Sequence, residues 1–213
     1  MTEPVKRPYD ATYRRAQAEL TRTRVLTAAH DRFMRDGYAA TTVAQIATDA
    51  QVSVPTVYKT FTNKAGLVKA LFDTAVVGDN DDTPLAARAP IAAVLAEPDP
   101  HRKIDMFAAM CAQIVPRAAP IQLLARQASA SDTDLAAVYQ QIQHERLTGL
   151  AGFAAHLHQQ RHLADGVTTN QARDILWTYN SPELYELLVL HRRWSLNRYR
   201  THIATAVTAT LLP

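Results

Sequence analysis

The sequence predicts an all-α fold, a small N-terminal unit of three helices followed by a larger helical domain, and three observations carry that expectation. Apolar residues recur at spacings of three and four through most of the 213 residues, with no strand-like alternation. Hydroxyl residues stand just before several apolar-periodic runs, some followed by proline in the first turn. Polar or proline-bearing breaks divide the remainder into helix-length pieces, without internal repeats or low-complexity tracts.

The first elements fall between residues 21 and 72. Thr21 or Thr23 caps a helix that sets Val25, Leu26, Ala29 and Phe33 on one stripe, and Gly37 ends it near Asp36 through a left-handed residue. Thr41 or Thr42 caps a second helix of about two turns whose apolar positions are Val43, Ile46, Ala47 and Ala50. After a break at Gln51 and Val52, Ser53 caps a third helix. Pro55 occupies its first turn, where a missing N–H leaves no bond unmade. Val57 and Phe61 are its inward residues, so Val54, Pro55, Thr56, Tyr58, Lys59 and Thr60 lie near its N-terminus or on its outer face. Asn63 caps a fourth helix that starts at Lys64, which brings a cation to the positive end of a helix dipole. Two short helices joined by a tight turn, the second polar outside and slim enough for a major groove, form a helix-turn-helix and point to DNA.

Composition agrees. A 47% hydrophobic content over this length supports a folded core. The single cysteine, Cys111, excludes an internal disulfide and a cysteine-rich metal site, which fits a reducing cytoplasm. No uninterrupted apolar run approaches about 20 residues and the N-terminus lacks an apolar leader core, so a cytoplasmic protein without a membrane partner is expected. Residues 1–72 hold 11 Lys or Arg against 6 Asp or Glu, net +5, while residues 73–213 are net −2. Lys6, Arg7, Arg14, Arg15, Arg22 and Arg24 precede or open the first helix, so residues 1–20 are expected to be a basic flexible arm. Such an arm either tracks a phosphate backbone or minor groove, or only solubilises the chain.

The run Gly37, Tyr38, Ala40-Thr41-Thr42, Ile46-Ala47, Val52-Ser53, Pro55-Thr56-Val57-Tyr58, Phe61, Asn63-Lys64 and Leu67 resembles the DNA-binding domain of TetR-type (tetracycline-repressor-like) transcriptional regulators. The resemblance implies that Thr41 or Thr42, Tyr58 and Lys64 hold phosphates of double-stranded DNA, while Val54, Pro55, Thr56 and Thr60 approach base edges; Ser53 and Lys59 complete the expected contact set. Two positions depart from the usual pattern. Gln51 replaces the common Gly of the turn, so an unchanged turn requires Gln at positive φ. Thr60 stands where an aromatic residue or His is common, which leaves open which bases are read.

Breaks at Asp79 to Pro84, Pro98 to Pro100, Ser129 to Asp132 and Asp165 to Thr169 predict helices near 85–97, 101–116, 118–130, 133–161, 169–190 and 195–211. The piece from 118 is either separate or a kinked continuation across Pro116 and Pro120. Ile104, Phe107, Ala108, Cys111, Ile114 and Val115 make one apolar stripe that Met106, Ala109 and Met110 widen, so this helix is either surrounded or lines a cavity. TetR-type proteins usually bind a small molecule in this domain. The resemblance therefore implies an effector site, with Phe107, Met110, Leu124, Gln127, Tyr139, Gln143 and Arg146 as lining candidates.

Arg146 continues the stripe Leu135, Tyr139, Ile142, Leu150 and Phe153, a cation where an apolar side chain is expected. It forms an internal ion pair with an acid such as Asp105 or Asp174, snorkels to water, or faces a pocket and selects an anionic or carbonyl-bearing effector.

His158 and His162 are four apart, but no carboxylate or thiolate lies at ligand spacing, so no metal or cofactor is expected. Without a Gly-flanked serine elbow, a Gly-rich phosphate loop or paired carboxylates on apolar faces, no enzyme is expected either. In the last helices Trp177, Leu184, Leu187, Leu188, Val189, Trp194, Tyr199, Ile203 and Val207 offer more apolar area than a solvent-facing hairpin requires. Asn180-Ser181-Pro182-Glu183 interrupts the first of these helices, with Ser181 capping the continuation at Pro182. The run Ile175-Leu176-Trp177, Ser181-Pro182-Glu183-Leu184-Tyr185, Trp194-Ser195 and Arg198-Tyr199 resembles the C-terminal part of one TetR-type subfamily. It implies a homodimer interface built from Trp177, Leu184, Leu188, Tyr199, Ile203 and Val207; otherwise these residues close the chain's own core.

The expected organisation is therefore a basic arm (1–20), a helix-turn-helix domain (21–72) with a linker helix to about 78, and an effector-binding and dimerisation domain (79–213). The expected function is a dimeric repressor released from a palindromic operator by a small-molecule effector. A ligand-binding helical protein without DNA function and a small helical enzyme are the alternatives.

Overall fold

The computed structural model describes residues 9–78 and 88–213, with side chains from residue 13, and among these residues every regular element is helical. The chain divides into two compact units, residues 1–71 and 72–213. Lys6, Arg7, the break at 79–84 and the start of the helix expected from 85 lie outside the described residues.

In the first unit α1 spans Tyr9–Ala40, α2 Val43–Asp49 and α3 Val54–Phe61, and α4, Lys64–Val77, begins there. Helix α1 starts well before Thr21, so Arg14, Arg15, Arg22 and Arg24 stand on a helix and not on a flexible arm. The reason is local: residues 14–20 are Arg, Ala, Gln, Glu and Leu, all strong helix formers, and a Thr costs little inside such a run. The expected stripe points inward, with Val25, Leu26, Ala29 and Phe33 at most 5% exposed. Gly37 breaks α1 at φ +79°, ψ 167°, and one further turn follows. The Phe33 and Tyr38 rings stack across that break at 5.6 Å.

In the second unit α5 is Ala89–Ala96, α6 Pro100–Ala128, α7 Thr133–Gln159, α8 Thr169–Tyr179, α9 Pro182–Tyr185 and α10 Leu196–Leu211. A π-helical stretch, Glu186–His191, follows α9. Helix α6 is the centre, packed by α5, α7, α9 and α10. It runs unbroken through Pro116 and Pro120, so the segment from 118 continues its predecessor. Burial of Ile104, Phe107, Ala108, Cys111, Val115, Ala119, Ile121 and Ala125 against those neighbours outweighs two lost backbone donors. Asp132 caps α7, Thr168 and Gln171 form a capping box on α8, and Ser181 and Ser195 cap α9 and α10.

One expectation is corrected here. Tyr199, Ile203 and Val207, assigned to a dimer face, are fully buried inside their own unit. They form the inward stripe of α10, which packs on α6 and α8. Leu184 and Leu188 are half-buried at the margin of the same core, and Trp177 is 37% exposed. The large apolar side chains that face outward in this region are Trp177, Leu187, Leu190 and Leu196.

Candidate nucleic-acid interface and effector region

The helix-turn-helix is built from its caps. Thr42 accepts from the Gln45 backbone N–H at 3.2 Å, and Gln45 Oε1 accepts in return from the Thr42 N–H at 2.8 Å, which fixes the start of α2. At its end Gln51 takes φ 56°, as the turn requires of a residue that replaces Gly. The Val52 N–H then donates to Ala47 O at 3.0 Å. Ser53 Oγ accepts from the Thr56 N–H at 3.3 Å and lies 2.7 Å from Thr56 Oγ1, so α3 begins with Pro55 in its first turn.

Arg32 braces the turn from α1. Its Nε and Nη2 donate to the two Asp49 oxygens at 2.6 and 3.0 Å, and that hydrogen-bonded guanidinium holds the Asp49 carboxyl below its ordinary range. No sequence signal marks this pair, because Arg32 and Asp49 belong to different helices. A second unforeseen contact is at Gly66, where an added Cβ would meet Phe61 O at 2.1 Å, so the approach of α4 to the end of α3 requires glycine.

Helix α3 turns Val57 and Phe61 into the core, 1% and 5% exposed, with the Arg22 guanidinium 5.1 Å over the Phe61 ring. Ser53, Pro55, Tyr58, Lys59 and Thr60 are exposed, and Val54 and Thr56 are half-buried. Thr60 Oγ1 donates to Thr56 O at 3.0 Å, so its hydroxyl presents its acceptor side outward.

Two expected phosphate ligands sit differently. Thr41 is 1% exposed and its hydroxyl donates to Gly37 O at 2.8 Å, so the side chain cannot reach a phosphate; Thr42 is the exposed one of the pair. The Thr41 hydroxyl is drawn inward because it satisfies a carbonyl that the Gly37 break leaves without a helical partner. Lys64 Nζ donates to Tyr38 O at 3.0 Å and Thr41 O at 3.1 Å, and lies 4.0 Å from the Tyr38 ring centre. Its charge braces the corner between α1 and α2.

The expected effector residues lie in the second unit. Phe107 is core, stacked on Phe153 at 5.0 Å. Met110, Leu124, Tyr139 and Gln143 are half-buried, whereas Gln127 is exposed on the outer side of α6 and does not join them. Burial holds the Tyr139 hydroxyl above its ordinary pKa. Arg146 Nη1 donates to Gln143 Oε1 at 2.6 Å and Nη2 to Asn180 O at 2.8 Å, with Trp177 stacked 5.8 Å away. Neither acid named as an internal partner takes it, since Asp105 pairs with Arg200 and Asp174 with Arg173. Cys111 is buried beside this group, accepts from Asn180 Nδ2 at 3.1 Å, and burial pushes its thiol up to about 12, which leaves it an inert side chain.

Comparison with known proteins agrees with this geometry. Residues 25–71 match the family described as bacterial regulatory proteins, tetR family. The HTH-type transcriptional regulator YvkB of Bacillus subtilis is 47% identical over 51 residues, a match spanning 24% of this chain and 27% of that relative's length. Among solved structures, the regulator FadR from Bacillus subtilis, in complex with stearoyl-CoA, superposes with a TM-score of 0.69 at 18% identity, over 87% of this chain and 96% of its own. NalD, the secondary repressor of the MexAB-OprM multidrug efflux pump in Pseudomonas aeruginosa, gives 0.66 at 19% identity over 92% and 98%. These two likenesses extend the shared fold from the N-terminal segment to most of the chain.

Proposed function

We propose that this chain, a TetR-type regulator, is a DNA-binding repressor that reads an operator with α3 and leaves it when a small molecule binds within residues 79–213. One observation carries the reading. The outward residues Ser53, Pro55, Tyr58, Lys59 and Thr60 are presented by a short helix that caps and the Arg32–Asp49 pair hold in place, within residues 1–72, the part of the chain with net charge +5. Thr42, Tyr58 and Lys59 are the proposed phosphate contacts, and Val54, Pro55, Thr56 and Thr60 the base-edge contacts. Lys64 adds a cation at the start of α4 while bracing the unit.

Repression and release are supported by what the similar folds do: one is a repressor, and one was crystallised with an acyl-CoA. The outward Trp177, Leu187, Leu190 and Leu196 supply an apolar face on which two copies pair, so the operator is a palindrome with half-sites one DNA turn or a multiple apart. Helix α4 continues from one unit into the other and is the mechanical link. An effector shifts the population off DNA by no more than its differential affinity for the two states. The one buried thiol is compatible with a reducing cytoplasm, where such a regulator works.

Sedimentation of the full chain with a twofold-symmetric duplex tests the assembly. Two chains per palindrome are expected, and a 1:1 complex would overturn the dimeric reading.

A further inference from the structure

Resting on the reading that the second unit takes a small effector, we propose that this effector is a monocarboxylate with an apolar body, received by Arg146 and Gln143 beside the Asn180 break. Arg146 is a partly buried cation held only by neutral acceptors, the Gln143 amide oxygen at 2.6 Å and the Asn180 carbonyl at 2.8 Å. Among the described residues no carboxylate lies within ion-pair distance of it. Asp105 and Asp174 serve Arg200 and Arg173, and Glu183 accepts from Arg126 at 2.7 Å. A guanidinium in such surroundings gains by meeting an acid.

The Gln143 amide beside it is also incomplete. Gln143 Nε2, adjacent to the oxygen that Arg146 holds, is buried without a hydrogen bond of good geometry, with the Tyr139 hydroxyl near enough to interact with that side chain. Buried amide groups in folded proteins are nearly always paired. A carboxylate accepts from the guanidinium fork and from Gln143 Nε2 together, and its planar two-oxygen geometry suits that fork.

Charge and lining set the rest of the class. Glu183 and Glu186 are shared with Arg126, and Glu183 also acts on Arg146, so the surroundings already hold acid and a single negative charge is favoured over a phosphate dianion. The Trp177 ring lies 5.8 Å from the guanidinium, and Glu183, Tyr139, Cys111 and Tyr199 are near enough to act on its charge, so the remainder of the ligand meets largely aromatic surface beside one acid. An arriving carboxylate displaces the Asn180 carbonyl from Arg146. Asn180 ends α8, the helix that carries Trp177, and precedes α9 and the π-helical stretch, irregular backbone of a kind found at ligand sites. Binding is thereby coupled to the segment that displays the outward apolar face.

The test uses the full chain with benzoate and octanoate, and with benzamide and octanamide as uncharged counterparts, read by thermal midpoint and tryptophan fluorescence. At about a hundredfold excess over Kd, at least one acid should raise the midpoint by about 5 °C while its amide leaves it unchanged. Arg146→Gln should weaken that acid about tenfold or more. Gln143→Glu, which places an internal carboxylate on Arg146, should raise the midpoint of the unliganded protein and abolish the acid's effect. No shift with either acid, equal shifts with the amides, or a Gln143→Glu protein no more stable than the parent overturns the proposal. A duplex selected from random DNA without any acid response sinks this inference and leaves the regulator standing; an acid response without a selected duplex does the reverse.

Discussion

The ammonium of Lys64 bonds the carbonyl of Tyr38 at 3.0 Å and rests 4.0 Å from the centre of that residue's ring. With the Thr41 carbonyl at 3.1 Å it ties the beginning of α4 to the chain between α1 and α2. Lys64→Met would leave two carbonyls short of a charged donor. The expected cost is about 1–3 kcal/mol, seen as a lower thermal midpoint together with weaker binding to every duplex. An unchanged midpoint would contradict the bracing role.

Gln51 holds φ 56° in the turn between α2 and α3. The left-handed region penalises a side chain, and Gly relieves it at the expense of a more flexible unfolded chain. Gln51→Gly should therefore stabilise the protein by about 0.5–1 kcal/mol. A urea unfolding curve with an earlier midpoint would show that the Gln side chain contributes more than its backbone strain costs.

Lys59 and Thr56 separate phosphate contact from base reading. Lys59 is exposed in the last turn of α3, so Lys59→Ala should weaken all sequences alike and reduce the slope of log K against log salt by about one. Tyr58→Phe should also weaken all sequences, through one lost hydroxyl. Thr56→Ala should change which base is preferred. An anisotropy titration in which Lys59→Ala keeps the parental salt slope would remove that residue from the DNA contacts.

His162 predicts the response to mild acid. Its Nδ1 is buried without a partner, and burial, then the charges of Lys103 and His156, hold its pKa below the usual 6.5, with Asp99 opposing. The unfolded chain thus takes the proton first, so stability falls as pH drops from about 6.5 toward the lower folded value. Asp36, Asp49 and Asp99, whose pKa values are depressed by hydrogen bonds, lose their contribution only below the ordinary carboxylate range. Unfolding free energies at pH 7.5 and 5.5 should differ more for the parent than for His162→Gln. An equal difference would place the acid sensitivity elsewhere.

What the residues disclosed, and what they did not, follows from range. The caps at Thr42, Ser53 and Ser181, the break at Gly37 and the positive φ at Gln51 are set within a few positions, and all stand as read. The Arg32–Asp49 pair, the Lys64 brace and the glycine at Gly66 depend on how helices meet, which periodicity does not encode. The inward stripe of α10 shows a related limit. Apolar spacing marks Tyr199, Ile203 and Val207 as buried but does not say whether the same chain or another copy buries them. The long start of α1 was hidden because Thr21 and Thr23 resemble caps, although the residues before them are strong helix formers.

Selection of bound duplexes from a random pool at near-physiological salt tests the central claim most directly, because non-specific phosphate attraction is weak there and enrichment reports base reading. The account predicts an imperfect palindrome that the Thr56→Ala protein selects in altered form. No enrichment by folded protein, with or without a carboxylate present, would contradict it.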